Sequence, residues 1–490
     1  MIATTLPLSG GTYNDSNPAI AKAFERFGIT EEMLRCVIHK ALAKGGDYAD
    51  LYFEHTFRNS VGLQDKAVNR TNSAIEYGVG VRVIAGDQTG YSYTENITLD
   101  DMLRAAESAA MIADLPHPHH SPEAITALKH RNDFYPIVRP WESISVKEKI
   151  PHLQQLNDRI FELDPRVTRV NILLDDTTSH ILFYNSETLL YVDYRPMVTF
   201  IASCVMEHQG ASERNCATRS FRIGAEFLTP TLIEEMAQEA VQKTAILFNA
   251  SKPKGGEMPV VMGAGGSGIL LHEAIGHAFE ADFNRKNTSI FSDQLGQKIC
   301  NAQINVVDDA TIPHNRGSLN IDDEGTLGQK TYIVKEGVLN SYLHDRISAR
   351  HYGVEPTGNG RRESFRNIPI PRMRSTYMEA GTSTQQEMIE QIHQGIFVDN
   401  FSNGQVQIGA GNFTFFVKSG YLIENGRLTQ PIKDINIIGN GPKALADITI
   451  VGNNPIIDNG TWTCGKDGQS APVTCGMPSV LVKSLTVGGE

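Results

Sequence analysis

Tryptophan occurs only twice in the 490 residues, and the six cysteines (Cys36, Cys204, Cys216, Cys300, Cys464 and Cys475) are too few and too scattered for a disulfide framework. Such dispersion fits a reducing compartment, where most thiols are small buried hydrophobes, so a cysteine in an unusual setting stands out. Long apolar runs are missing as well: nothing reaches the roughly 18 residues of a membrane span. The opening MIATTLPLSGGTYNDSN has neither the basic n-region nor the apolar h-region of a secretory signal. These absences predict a cytoplasmic protein without a membrane partner. Positive charge is also in deficit. With 44 Lys and Arg against 56 Asp and Glu the formal net charge is -12, which does not suit direct gripping of nucleic acid. What remains, 40% apolar and 20% charged residues, is the make-up of an ordinary globular chain of two or three domains.

The first half reads as two rounds of helix, strands and helix, over about 28–120 and 140–250. Residues 30–44 have apolar positions at helical spacing, with Thr30 as N-cap and Gly45-Gly46 as the stop. ADLYF and GVGVRVI alternate as strands do, and Thr98 with Asp101 opens a second helix. The next round starts at Ser145 with Glu148 three residues on, and Pro151 is expected to kink or delay that helix. HILFY and LLYVDY are its strands, joined through Asn185-Ser186, and Thr229-Pro230 starts its closing helix. The polar stretch NASKPKGGEMP is a linker, which divides the chain into an N-terminal α+β region, 1–254, and a β-rich region, 255–490. In the second region TYIVKEGVLNSYL predicts a hairpin about Glu336-Gly337, and GYLIENGRL a tight turn at Asn425-Gly426. A short helix is expected near 384–394, and the fold class is α+β, with one important helix inside the β-rich region.

That helix begins in PVVMGAGGSGILLHEAIGH, where Gly263, Gly265 and Gly268 satisfy the G-x-G-x-x-G dinucleotide pattern. Its sequel is missing, since ADFNRKNTSIF is no second buried strand ending in a ribose-binding acid. The glycines are better read as a tight turn into the helix, with Ser267 as N-cap. His272 and Glu273 are followed by His277, one residue beyond the spacing of the common zinc-protease helix. Residues five apart on a regular α-helix diverge by about 140°, so one metal can hold both imidazoles only if the helix is distorted. A widened turn over Ala274 to Gly276 is therefore predicted, with Gly276 easing it. Glu273 has the position of a general base for metal-assisted hydrolysis. The plain alternative is a surface helix with two solvated histidines beside Glu280 and Asp282.

A catalytic metal needs a third protein ligand and an open position. Glu280 lies about 80° round the helix from His272. His314, His344 and His351 are further candidates. Cys464, in TWTCGKDGQSAPVTCGMPS, sits in a turn-rich segment with Gly465 beside it to leave room and Lys466 near enough to favour the thiolate. Cys475 competes with it, and either thiol, taken singly, also reads as an inert buried one.

HEAIGHAFEADFNRK, followed by IDDEGT, STYMEAG, GYLIENG and CGKDGQSAPV, resembles the TldD branch of the TldD/PmbA (TldE) metallopeptidase family over nearly the whole chain, most strongly from about residue 258. The resemblance implies His272, His277 and Cys464 as metal ligands and Glu273 as catalytic base. It implies an α+β N-terminal region, a β C-terminal region, and dimers, either homodimers or heterodimers with a PmbA/TldE-like relative that lacks the metal motif. It further implies hydrolysis of unfolded peptides in an enclosed cleft. The sequence departs from the family pattern at Cys475, where glycine is more usual, and at SNGQV, 402–406, where the family has GGGQV. A His2Cys donor set suits Zn2+ and can also hold Fe2+. Two rival readings are an amidase or deformylase-like hydrolase of small molecules, and a non-catalytic regulatory scaffold.

Overall fold

The computed structural model describes residues 11–12, 18–113, 125–128, 132–407 and 410–489. The strands of both N-terminal rounds hydrogen-bond into one sheet. Its long centre runs Leu189–His208, Val167–Asn185, Tyr48–Gln64 and Ala67–Ala85, with Gln88–Thr94 at one edge and Ala211–Phe221 also paired to Leu189–His208. The two rounds meet where Tyr48–Gln64 pairs antiparallel with Val167–Asn185, from Asp50 opposite Asn185 to Gln64 opposite Asn171. Because strand side chains alternate faces, Leu51, Phe53, Val61 and Leu63 all point the same way. On that face the helices Glu31–Ala41 and Leu99–Ala110 cover one half of the sheet, and Val146–Leu163 with Pro230–Ala245 cover the other. The opposite face presents Tyr52, Ile181, Phe183 and Tyr191 to Ile321 and Phe365 of the C-terminal half.

The expected helix starts hold. Thr30, Thr98 and Thr229 accept from the backbone N–H groups of Met33, Asp101 and Leu232. Pro151 does not delay its helix, which begins at Val146 under a reciprocal capping box between Ser145 and Glu148 and carries the proline inside. Two orphan donors satisfied at the first turn fix the start ahead of the missing proline N–H.

From Gly256 onward the chain is mostly strand. Gly256–Met262 pairs with both Gln394–Gln407 and Val480–Gly488, and Asn412–Glu424 links Gln394–Gln407 to Arg427–Asn440. Arg427–Asn440 then pairs back to Val480–Gly488, so five strands close into a barrel whose interior belongs to the largest apolar core. A second sheet includes Val306–Asp309, Ser375–Met378 and Thr474–Met477. The tight turns lie where the sequence put them: Glu336 and Gly337, and Asn425 and Gly426, all have positive φ. The short helix is Gln385–Glu390, capped by Thr384 and Glu387. Among the described residues no helix is long and apolar enough to cross a membrane.

Candidate metal centre

Gly256–Met262 leaves the barrel through a glycine-rich turn into a π-helical segment, Leu270–Gly276. The Gly265 N–H donates to the Met477 carbonyl, and Gly265 has φ +89°, a conformation open to glycine at little cost. A Cβ on Gly268 would stand 2.4 Å from the backbone nitrogen of Gly476, so the glycines serve close approach of backbone to backbone. Ser267 is not the N-cap. It lies inside the short turn Gly266–Gly268, fully buried, and makes no capping bond.

The widened turn predicted between the histidines is present. The His277 N–H donates to the His272 carbonyl, five residues back, and the two imidazole centroids stand 5.1 Å apart. An i→i+5 turn thereby restores the shared face that a regular helix would deny them. Gly276 is helical in its dihedrals, so its requirement is spatial: a Cβ would fall 2.3 Å from Met373 Sδ and 2.8 Å from the Leu271 carbonyl oxygen. The alternative of a solvated surface helix fails, because His272, His277, Glu280 and Asp282 are all buried.

Cys464 comes from a β-hairpin rather than a loop. Thr463–Lys466 pairs with Gln469–Pro472 through a turn at Asp467-Gly468, both at positive φ. Alternation along the strand buries Cys464 and Lys466 and exposes Gly465, beside which a Cβ would meet open space, so no crowding explains that glycine. The ligand-capable atoms of His272, His277 and Cys464 lie within 4.8 Å of one another, the one such group of three among the described residues. Cys464 Sγ is 3.5 Å from His277 Nε2. Cys475 is buried on the strand Thr474–Met477, paired beside Thr376, and its thiol is held well above its ordinary range by burial, with Asp458 and Glu273 adding to it. Glu280, His314, His344 and His351 also lie outside the group of three. His314 Nδ1 meets the Arg222 carbonyl, and burial pushes His344 down to about 4.

Glu280 has a different place. Its carboxylate lies 3.0 Å from His277 Nδ1, which turns Nε2 towards Cys464, the arrangement by which a carboxylate orients a ligand imidazole. Burial opposes the Glu280 charge, yet Lys466 and His277 bring its value down to about 2. Lys466 is not turned to the thiolate as the sequence suggested. Its Nζ lies 3.0 Å from Glu280 and 2.8 Å from Asp282, and also donates to the Pro371 carbonyl. Burial raises the Cys464 thiol, but the fields of and bonds to His272 and His277 outweigh it and hold the thiol well below its usual value. Arg372, fully buried, donates to the Cys464 carbonyl and fixes the strand from behind. No sequence signal marked Arg372, whereas the acidic pair after His277 was visible and lacked only its partner.

Two imidazoles and a thiolate-prone cysteine, buried together and braced by a carboxylate, fit a borderline-soft divalent metal. Similarity to known proteins agrees. Three family profiles match in succession: PmbA/TldA metallopeptidase domain 1 over residues 49–113, the central domain over 139–248, and the C-terminal domain over 255–489. A metalloprotease TldD homolog of Buchnera aphidicola subsp. Acyrthosiphon pisum is 39% identical over 90% of this chain and 93% of its own length. The homolog from Haemophilus influenzae is 37% identical over the same shares. A zinc metalloprotease TldD homolog of Saccharolobus solfataricus is 28% identical over 92% of this chain and 99% of its own. The fold is shared with a protein described as a modulator of DNA gyrase from Thermotoga maritima, at TM-score 0.74 and 22% identity, covering 94% of this chain and all of that one. It is shared too with TldE of Thermococcus kodakarensis, at TM-score 0.70 and 19% identity, covering 96% of this chain and all of that one. By these matches the chain belongs to the PmbA/TldD metallopeptidase family, in its TldD branch.

Proposed function

We propose that the chain is a zinc-dependent peptidase of unfolded peptides, with His272, His277 and Cys464 as ligands and Glu273 as general base. The observation that carries this reading is the π turn, which brings two histidines of otherwise incompatible spacing to one cysteine and leaves Glu273 beside the first of them. Zn2+ held by this set would supply Lewis acidity towards a peptide carbonyl and acidify a water. Glu273 would serve as the base that takes a proton from the attacking water and passes it to the departing amine. Glu280 keeps the His277 imidazole aimed, and Lys466 balances the carboxylate that does so. Fe2+ is the weaker alternative for the same donors. In this reading residues 255–490 form the catalytic domain and 1–254 a wall over it, with the partner a second copy or a TldE-like relative, in the cytoplasm.

The test compares the chain with Glu273→Gln on a fluorescently labelled unfolded protein. The variant is expected to keep its metal and lose roughly 100-fold or more in kcat, the scale of a general base. Retention of full hydrolysis without Glu273 would remove it from the mechanism. Hydrolysis of small amides or formyl compounds, with none of unfolded protein, would shift the reading to an amidase or deformylase-like enzyme. Loss of hydrolysis without loss of biological effect would favour a scaffold.

A further inference from the structure

The strand Ala67–Ala85 has two partners of unequal length. Tyr48–Gln64 pairs with it from Ala67 to Ile84, whereas Gln88–Thr94 covers only Val79 to Ala85. Among the described residues the outer edge from Ala67 to Gly78 is therefore unpaired, and residues 67–75 are exposed. A row of free backbone N–H and C=O groups is a template for another strand, and sheets ordinarily blunt such edges with lysine, proline or bulges. The stretch AVNRTNSAIEYG contains neither lysine nor proline. Its one register shift falls at Asn69, near the hairpin end, which leaves Arg70 to Gly78 in unbroken register with the neighbouring strand. Ile75 stands on this edge 64% exposed, a β-branched apolar side chain left to water.

The edge carries two charges, Arg70 and Glu76. Strand side chains alternate, so residues six apart share a face. Among the described residues Arg70 makes no ion pair, and Glu76 meets Arg58 at 3.5 Å with its Oε2 accepting no hydrogen bond. When two identical strands pair antiparallel about a two-fold axis, residues whose numbers add to a constant stand opposite each other. Centring the pair on Ser73 sets Arg70 of each copy opposite Glu76 of the other, Thr71 opposite Ile75, and Asn72 opposite Ala74. Opposite charges and β-branched neighbours are the combinations that stabilise facing strand positions, and no like charges meet in this register.

We infer that Arg70 to Glu76 is a self-complementary edge through which two copies of this chain pair, joining their N-terminal sheets into one. This rests on the second-copy form of the partnership proposed above and is independent of the peptidase chemistry. An extended peptide could also hydrogen-bond to an open edge, but it would make no use of a cation and an anion placed symmetrically about Ser73. Two copies use both, and they cover Ile75 as well.

The experiment uses the full chain with Ser73→Cys and, separately, with Thr71→Cys, and the parent, whose exposed cysteine is Cys36, as control. Directly opposed residues of an antiparallel pair have Cα atoms about 4.5–5.5 Å apart, inside disulfide range. The Ser73 variant should therefore form a disulfide-linked dimer under mild oxidation. The two Thr71 positions, offset by four residues along the strand, would stand about 13 Å apart and should stay unlinked. In sedimentation, Arg70→Glu should raise the dimer dissociation constant about tenfold or more, since both cross-strand pairs become repulsive. Adding Glu76→Arg to that variant should restore it. Arg70 and Ser73 are exposed, so neither change threatens folding. A dimer that persists without linkage at Ser73, or that links at Thr71 instead, overturns this edge and register and leaves a second copy as partner. A parent that stays monomeric at every concentration overturns the inference and the second-copy reading together. Neither result bears on the peptidase reading, which Glu273→Gln tests separately.

Discussion

Glu280 shows how much of the centre depends on a residue that is no ligand. Fully buried, it accepts both from His277 and from Lys466. Glu280→Gln keeps the shape and removes the charge that orients the ring, so metal affinity is expected to fall about 10- to 100-fold, the usual weight of such a partner. Competition with a chelator of known affinity checks this, and unchanged affinity would contradict it. The pH dependence has a definite sign. Glu280 has a folded value below its ordinary 4.5, so its contribution to stability is complete above 4.5 and is lost as pH falls through about 2. Metal release on milder acidification then belongs to protonation of the ligands, not of Glu280. At this scale the sequence displayed the histidines, Glu273 and the two competing cysteines. It did not display that Lys466 would be drawn to Glu280 and Asp282, because that partnership depends on a hairpin 184 residues away from Asp282 in sequence.

The element that makes the site is the π-helical segment, and Gly276 is its narrowest point. Gly276→Ala would drive a methyl into Met373 Sδ and the Leu271 carbonyl, at an expected cost of about 1–3 kcal/mol and with loss of bound metal. Thermal unfolding with metal analysis tests this, and an alanine variant with unchanged Tm and metal would refute the spatial argument. The distortion itself was legible from geometry, since 100° per residue forbids the shared face. The spatial demand on Gly276 was not, for it comes from Met373, distant in sequence. Capping residues announced most helix starts, and the Pro151 helix shows the limit: a capping box at Ser145 outweighs a proline in the next turn. The hairpin that carries Cys464 was read only as turn-rich, because four-residue strands give too little alternation to recognise.

At the scale of the molecule, the N-terminal sheet is tied to the C-terminal half by buried charge. Arg82 binds Asp50 of the sheet and Glu324 of the IDDEGT segment, all nearly inaccessible to solvent. Arg82→Met leaves the buried Glu324 without its ion-pair partner and Asp50 with only Arg362, at 3.7 Å, and is expected to destabilise by roughly 3–5 kcal/mol, measured by denaturant unfolding. A loss under about 1 kcal/mol would show that the halves do not depend on this pair. The α+β class and the β-rich second half were visible in the pattern of alternation, but not that both N-terminal rounds share one sheet or that five later strands close into a barrel, since pairing between distant strands leaves no local trace. The central claim concerns the metal, and elemental analysis of protein purified without chelators or added metal tests it most directly, for the parent beside Cys464→Ser and Cys475→Ser. The account predicts close to one zinc per chain in the parent and in the Cys475 variant, and its loss with Cys464. A parent without metal, or metal retained without Cys464, would contradict it.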